Sequence, residues 1–571
     1  MKGGASEAQV VGLVTSLFYQ AREARRPLVQ EWKRNYRILN NDDWKPAAEP
    51  WLPNPSIPKI WPVIASLAAW STDQRPRIEA VPTMPPFSPY ADFFQGLGEQ
   101  MTALLNTSWL LNGLARELSM ILWDMYTYRI GYSKVGWEPW LADGHGDATM
   151  RRVDPFQIYP DPFARNEADL SYIIQAHMMS VDDADRAFPG AAKLIGSNAG
   201  LLDAEPAPHR LSEQNNDSKP RYNLKPLGAN TQQGMGRVRG GESAGQITSP
   251  VMTVLECWVR SHKHEKQKDG STRTTEDWTV IVVGGNRVLM HENAWDVNAF
   301  GSHPFDKLCL FSTGEWYGPS LVTFLGSPQE SINRILKRIE QNIDLVGNPM
   351  LVEGPASSEM NRRITNRPGA RLNARPSDVA WMNPPQMHPQ MALTLLQYYA
   401  AEIESISGMS AIMRGFSPTG RNAQGVIDSV QDSAFVRVRA TLREIEHLLR
   451  SAGTKMMATI AEFYTEPRMA TILGGDGEKT SLVLRKNHFY DPREQQPMRF
   501  SLLADGGSEL ETSRQALSAR AAQYWGMQLI DREEALKAVR WPNWKTVSDR
   551  VDRKEMQGAM GAPTQRSVSR S

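Results

Sequence analysis

The chain has 571 residues, 41% hydrophobic and 22% charged; this is material for two or three domains with real cores and excludes a wholly disordered chain. Its 64 basic and 63 acidic residues leave a net charge of +1, so no global field draws it onto nucleic acid and any DNA contact must be local. Two cysteines, Cys257 and Cys309, exclude a disulfide framework or a cysteine zinc site and fit a reducing cytoplasm; with no run of about eighteen apolar residues and no export signal, neither a membrane span nor secretion is expected.

Residues 7–39 carry apolar residues at helical spacing, with Pro27 predicted to split them into two helices. From Asn54, a helix with Ile57, Ile60, Val63, Ile64, Leu67 and Trp70 on one face leads into an extended segment flanked by Pro76 and Pro82. Helical spacing then runs from Ala91 to Arg129. Gly131 to Glu138 alternates like a strand and is joined through a Gly- and Asp-rich turn to a partner at 149–153, a hairpin. Asp154 and Asp161 each precede a proline, which makes them turn formers; a metal role would need a third ligand that is not near in sequence. Asp169 to Ala176 is a further strand. Asp182 and Asp183 read as a helix start. Residues 200–250 are poor in large apolar side chains and read as a flexible insert. Strands resume at 251–261 and 278–283, the latter turning at 284–286 into 287–290.

The centre of the chain is helical. A helix is predicted from Ser327-Pro328, with Glu330 in its first turn, through Ile332, Ile335, Leu336, Ile339 and Ile343 to a stop at Gly347-Asn348-Pro349. The next forty residues are irregular, rich in proline and basic, with Arg362, Arg363, Arg367, Arg371 and Arg375. Residues 390–407 return to helical spacing, with Ala392, Leu395, Leu396, Tyr399, Ile403 and Ile406 on one face and Gly408 as the stop. A loop rich in glycine and hydroxyls, 408–425, carries Arg414 and Arg421. It leads into an apolar stripe from Val426 to Phe463, roughly forty residues and hence a rod of about 60 Å, with Gly453 as its weak point. Strands at 479–485 and 498–503, a helix at 509–526, a second helix capped by Asp531 and a mobile tail from 557 complete the chain.

Helix, basic insert, helix, Gly-rich loop and long rod, in that order, resemble phage portal proteins. The resemblance rests on Tyr317, Gly318, Pro319 and Ser320 ahead of Gln329, Ile332, Asn333 and Ile335; on the 408–425 loop; on the strand marked by Pro76, Ile78 and Pro82, with Ala80 where valine is usual; and on Val153-Asp154-Pro155 followed by Asp161-Pro162 and a strand. It implies an α+β portal fold: a wing at 1–313 with the insert at about 200–250, stem helices at 314–346 and 390–407, a clip at 347–389 and a channel loop at 408–425. A long wing helix at 426–466, a small β segment at 467–500 and a helical crown at 501–571 follow. The resemblance further implies a dodecameric ring in the virion, at a capsid vertex, passing double-stranded DNA during packaging and ejection. Its implied partners are other copies of itself, the large terminase subunit, head-to-tail adaptor or tail proteins, and capsid or scaffolding protein.

Catalytic motifs are missing. The nearest approach to a phosphate-binding G-x-x-x-x-G-K-[ST] loop ends at Lys479-Thr480 but has Glu478 where glycine is required. No cofactor or metal is expected, and the ten histidines are scattered. Each arginine, taken alone, is a surface or interface residue. Repeated around a ring, Arg414 and Arg421 would line the channel and the five clip arginines a second circle, touching phosphates without reading sequence. The rival readings are an enzyme subunit of the packaging motor and a different capsid-associated structural protein.

Overall fold

The computed structural model describes residues 6–41, 53–73, 77–82, 91–191, 193, 251–266, 272–311, 313–347, 350–353, 379–382, 389–409, 423–464, 468–473, 479–484, 500–505, 521–538, 547, 548, 550 and 551. The expected insert at 200–250, the core of the basic segment and most of the 408–425 loop lie outside them. Helix α1 (Glu7–Asn40) runs unbroken through Pro27, correcting the expected split. A mid-helix proline costs about 3 kcal/mol. Val14, Phe18, Ala21, Arg25, Val29, Trp32 and Leu39 all lie buried along α1, and a continuous helix is what keeps both halves of that stripe on the core. Buried Arg25 donates to the carbonyls of Pro155 and Phe156, both at 2.9 Å, and of Ile158, and lies 3.8 Å over the ring of Tyr159. Asp154 Oδ1 accepts from the Phe156 amide at 3.0 Å and Asp161 Oδ1 from Phe163 at 3.0 Å. The two Asp-Pro motifs are therefore side-chain-capped turns, and the first is clamped from above by Arg25.

Helix α2 (Ile60–Asp73) begins six residues later than expected. Pro55 and Pro58 push their predecessors toward extended backbone, and side chains further along the chain hold residues 56–59 there. Strand β1 (Arg77–Pro82) follows. The predicted 91–129 helix is two, α3 (Ala91–Leu111) and α4 (Leu114–Tyr128), parted at Gly113 with φ 65°; a left-handed residue cannot continue a right-handed helix.

Strands β2 (Gly131–Glu138) and β3 (Asp147–Val153) form the expected hairpin. Strands β4 (Ile158–Pro160), β5 (Tyr172–Ser180), β6 (Val251–Lys266), β7 (Thr272–Gly284) and β8 (Arg287–Asn293) form a five-stranded sheet in chain order, antiparallel throughout. Gly285 and Asn286, at φ 56° and 62°, make the tight turn between β7 and β8. Helix α5 (Val181–Ala187) starts at Ser180, whose Oγ accepts from the Asp183 amide at 3.0 Å. Helix α6 (Ala294–Val297) is one turn long, and β9 (Phe305–Leu308) adds to the free edge of β2. Lys134 on β2 ties this small sheet to the large one, its Nζ reaching Gln175 Oε1 on β5 at 2.9 Å and Glu256 Oε2 on β6 at 2.7 Å.

The central helices are α7 (Leu321–Gly347), α8 (Pro389–Ser407) and α9 (Ala423–Phe463). Between α7 and α8, β10 (Met350–Glu353) pairs with β11 (Val379–Met382). Along α9 the residues Leu442, Ile445, Leu449, Ala452, Met456 and Ile460 are buried at the expected spacing. Gly453 sits where a Cβ would stand 2.6 Å from Leu502 Cδ1, so its role is close approach, with helical backbone on both sides. Leu502 belongs to β14 (Phe500–Asp505), which pairs with β1, while β12 (Arg468–Leu473) pairs with β13 (Lys479–Leu484). Helix α10 (Arg532–Ala538) is capped as expected by Asp531, whose Oδ1 accepts from the Glu534 amide at 2.7 Å. The described strands pair only antiparallel, with helices packed against them and no parallel strand pair among the described residues, which makes the class α+β.

Candidate assembly surface

Helix α7 is anchored at its start. Ser320, and not Ser327-Pro328, opens it: its Oγ accepts from the Thr323 amide at 3.3 Å and donates to Tyr126 O at 2.9 Å. Pro328 therefore falls inside the helix. Asn35 Nδ2 reaches Thr127 O (2.9 Å), Ser320 Oγ (3.1 Å) and Thr323 Oγ1 (2.8 Å), while Thr323 Oγ1 also donates to Glu31 Oε1 at 2.6 Å. Glu31 in turn accepts from Arg129 Nη2 at 2.6 Å. This polar joint, buried at Asn35 and Ser320 and partly buried at Glu31 and Arg129, fixes the direction of α7 relative to α1 and α4. About two turns on, Gln329 and Asn333 act as a substitute strand for residues 56–59. Gln329 Nε2 donates to Ile57 O at 2.6 Å, its Oε1 accepts from the Lys59 amide at 2.9 Å, and Asn333 Oδ1 accepts from the Ile57 amide at 3.3 Å.

Beyond that anchor the cover thins. The stripe Leu321, Leu325, Ile332, Leu336, Ile339, Ile343 and Val346 recurs every three to seven residues along one face of α7. Its first members are buried, yet Ile343 is 63% exposed. Helix α8 packs against α7 through Ala392, Leu396, Tyr399, Ile403 and Ile406. Leu395, expected on that face, is instead 38% exposed; with Met391 (66%) and Tyr398 (56%) it forms a second stripe at steps of four and three. At 100° per residue Met391, Leu395 and Tyr398 fall within about 60° of one another, beside the buried stripe and not on it. The Glu402 carboxylate, one turn on, pushes the Tyr398 phenol up. Sequence reasoning assigned Leu395 to the inner face because an i, i+3, i+4 pattern does not distinguish a wide stripe from two adjacent ones. Met391, Leu395 and Tyr398 thus leave an apolar row exposed on the helix pair.

The seven arginines singled out by the sequence, Arg362, Arg363, Arg367, Arg371, Arg375, Arg414 and Arg421, lie outside the described residues. What the structure places is the ends of their segments: β10 and β11 for the first five, buried Met409 and the start of α9 for the other two.

Chemistry has no obvious seat among the described residues. No group of three or more His, Cys, Asp or Glu is placed to hold a metal ion, and no helix is long and apolar enough to cross a membrane. Cys257 and Cys309 are free and buried, and burial pushes the Cys257 thiol up to about 12, leaving it un-ionised. Lys479 opens strand β13 opposite Leu473, whereas a phosphate-binding lysine must open a helix.

A family model described as Phage P22-like portal protein matches residues 16–568. No curated protein matches the chain.

Proposed function

The chain belongs to the P22-like phage portal protein family, a structural family of the phage head, and from that premise we propose that copies of it close into a ring, dodecameric by family resemblance, at a capsid vertex. Double-stranded DNA enters through the ring during packaging and leaves through it at ejection. In this reading α7 and α8 are the stem, the β10–β11 region is the clip, residues 1–313 with α9 form the wing and the C-terminal segment the crown. The clip docks the large terminase subunit and later the adaptor or tail, and the wing meets capsid or scaffolding protein.

The observation that carries the ring is the uncovered apolar row on the stem: Met391, Leu395 and Tyr398 on α8, with Ile343 on α7. A neighbouring stem would bury it, and a heterologous contact repeated by rotation closes into a circle. Net charge near zero suits such a conduit, because every added phosphate contact would hold passing DNA back. Arg414 and Arg421 are assigned to the channel wall and the five clip arginines to the exit. Electron micrographs of purified protein test the architecture: rings with a central hole are expected, and shells or sheets would instead favour a coat-like protein. Replacing Arg414 and Arg421 with alanine should leave rings intact while changing DNA packaging or retention; unchanged packaging and retention would remove the channel role of these two residues.

A further inference from the structure

Arg25 is 2% exposed, yet its partners among the described residues are three backbone carbonyls, of Pro155, Phe156 and Ile158, and the rings of Tyr159 and Trp32. Asp154, at the start of the same turn, accepts instead from the Phe156 amide. Nη1 donates twice and Nη2 once, so Nε–H and one N–H of Nη2 are left over; Nε is buried with no hydrogen-bond partner. Arg129, Arg151 and Arg152 each present the same Nε and Nη2 edge to a carboxylate, of Glu31, Glu138 and Asp124. On Arg25 no described side chain takes that edge.

Two further donors stand beside it. Trp32 Nε1 and Tyr159 Oη belong to side chains closed to solvent, and neither has a hydrogen-bond partner among the described residues. The rings of Tyr159 and Trp32 are centred 3.8 and 5.5 Å from the Arg25 guanidinium carbon, so their polar atoms lie no more than one ring's reach beyond. Arg25 also stands where two apolar clusters meet, Val29, Trp32 and Phe156 in one and Phe18, Ala21 and Tyr159 in the other. Unpaired donors and an uncompensated charge are both costly in such surroundings.

We propose that Arg25, Trp32 and Tyr159 hold a buried monatomic anion, chloride. The acceptor must be small, because these atoms are sealed from any side chain of another molecule. Water would accept from these donors but would bring hydrogens of its own into a place supplied mainly with donors. A halide brings none, accepts from several directions and compensates the guanidinium charge. Bound there, chloride fastens α1 to the 155–159 segment. The site lies within one protomer and does not rest on ring closure.

The test is thermal unfolding of the full-length protein in sodium chloride and in sodium gluconate, whose anion is too large for a sealed site, at matched ionic strength. The readout is the chloride-minus-gluconate shift in midpoint, compared between the parent and two conservative variants, Tyr159→Phe and Trp32→Phe, each of which removes one donor and keeps an aromatic ring. The comparison cancels the general action of either salt on the protein surface. The parent shift should rise with the logarithm of chloride concentration, as for a ligand that binds the folded state alone. Each variant should need about tenfold more chloride to reach the same shift, the loss of one hydrogen bond to a charged group, and bromide should replace chloride in the parent. A parent shift equal to that of both variants at every chloride concentration, the result expected if water satisfies these donors, would overturn the proposal.

Discussion

The C-terminal half of α9 and the α7–α8 pair share a sequence pattern but not a fate. In α9 the apolar stripe from Leu442 to Ile460 is consumed by the protomer's own core, against β9, β14 and α2. On α8 a stripe of equal regularity, Met391, Leu395 and Tyr398, faces out. Periodicity therefore tells which faces are apolar, and the number of elements that can reach them tells whether the cover comes from the same chain. One helix is built into a finished core and the other keeps an apolar row exposed, the row assigned above to a neighbouring stem.

That contrast breaks most sharply by putting charge on the outward row. Leu395→Asp with Tyr398→Asp should abolish assembly, moving the protein from ring to protomer on size-exclusion chromatography, while far-ultraviolet circular dichroism stays that of the parent. A loss of helical signal would mean that the row belongs to the protomer core. The opposite pattern is expected inside the body. Lys455 Nζ on α9 sits 2.8 Å from Asp306 Oδ1 on β9, and both side chains are largely buried. Asp306→Ala would leave that ammonium uncompensated and should cost about 3–5 kcal/mol in denaturant unfolding, without selecting against ring contacts.

A smaller effect comes from pH. Burial, reinforced by the nearby charge of Lys455, holds the His303 imidazole well below its ordinary 6.5, so the folded protein keeps it neutral. The unfolded chain takes up the proton first, so stability falls as pH drops below about 6.5, at up to about 1.4 kcal/mol per pH unit for one proton. Asp124 works in the other direction. Burial against the pull of Arg152 pushes it up to about 7, and its contribution is lost as pH rises through that value. The informative quantity is therefore the difference between parent and His303→Gln, whose thermal midpoint should fall less between pH 6.5 and 5. Parallel profiles would show that His303 does not carry the acid limb. The smallest change is expected at the surface pair of Glu7 and Arg287, 3.3 Å apart and half-exposed: Glu7→Ala should shift stability by less than about 1 kcal/mol.

Much of the body was legible in the sequence because its signals are local. The Gly285-Asn286 turn, the helix start at Asp182-Asp183, the Asp531 cap, the Asp154 and Asp161 turns and the burial period of α9 each follow from a few neighbouring residues. The misreadings concern long-range partners. By local rules Pro27 predicts a break and Ser327-Pro328 a helix start, and packing of α1 and anchoring of α7 override both. The true start of α7, Ser320, was visible as Pro319-Ser320 ahead of an apolar run, but its function as a three-way joint with Asn35 and Thr127 was not. The strands expected at 479–485 and 498–503 form at 479–484 and 500–505, but the sequence did not reveal that one pairs with 468–473 and the other reaches back to β1 across more than four hundred residues. Gly453 was read as a weak point in the rod; it is the notch that admits Leu502. Of the candidate site, the arginine segments could be named by composition, whereas the outward row on α8 required knowing which side of the helix α7 occupies.

Native mass spectrometry of the purified 64.0 kDa chain bears most directly on ring closure through the stem. A single closed oligomer, with a mass at an integer multiple of the protomer near twelve, is expected for the parent and protomer alone for Leu395→Asp/Tyr398→Asp. A parent that stays monomeric at micromolar concentration and in assembly-permissive salt, or a double variant that forms the same oligomer, would contradict it.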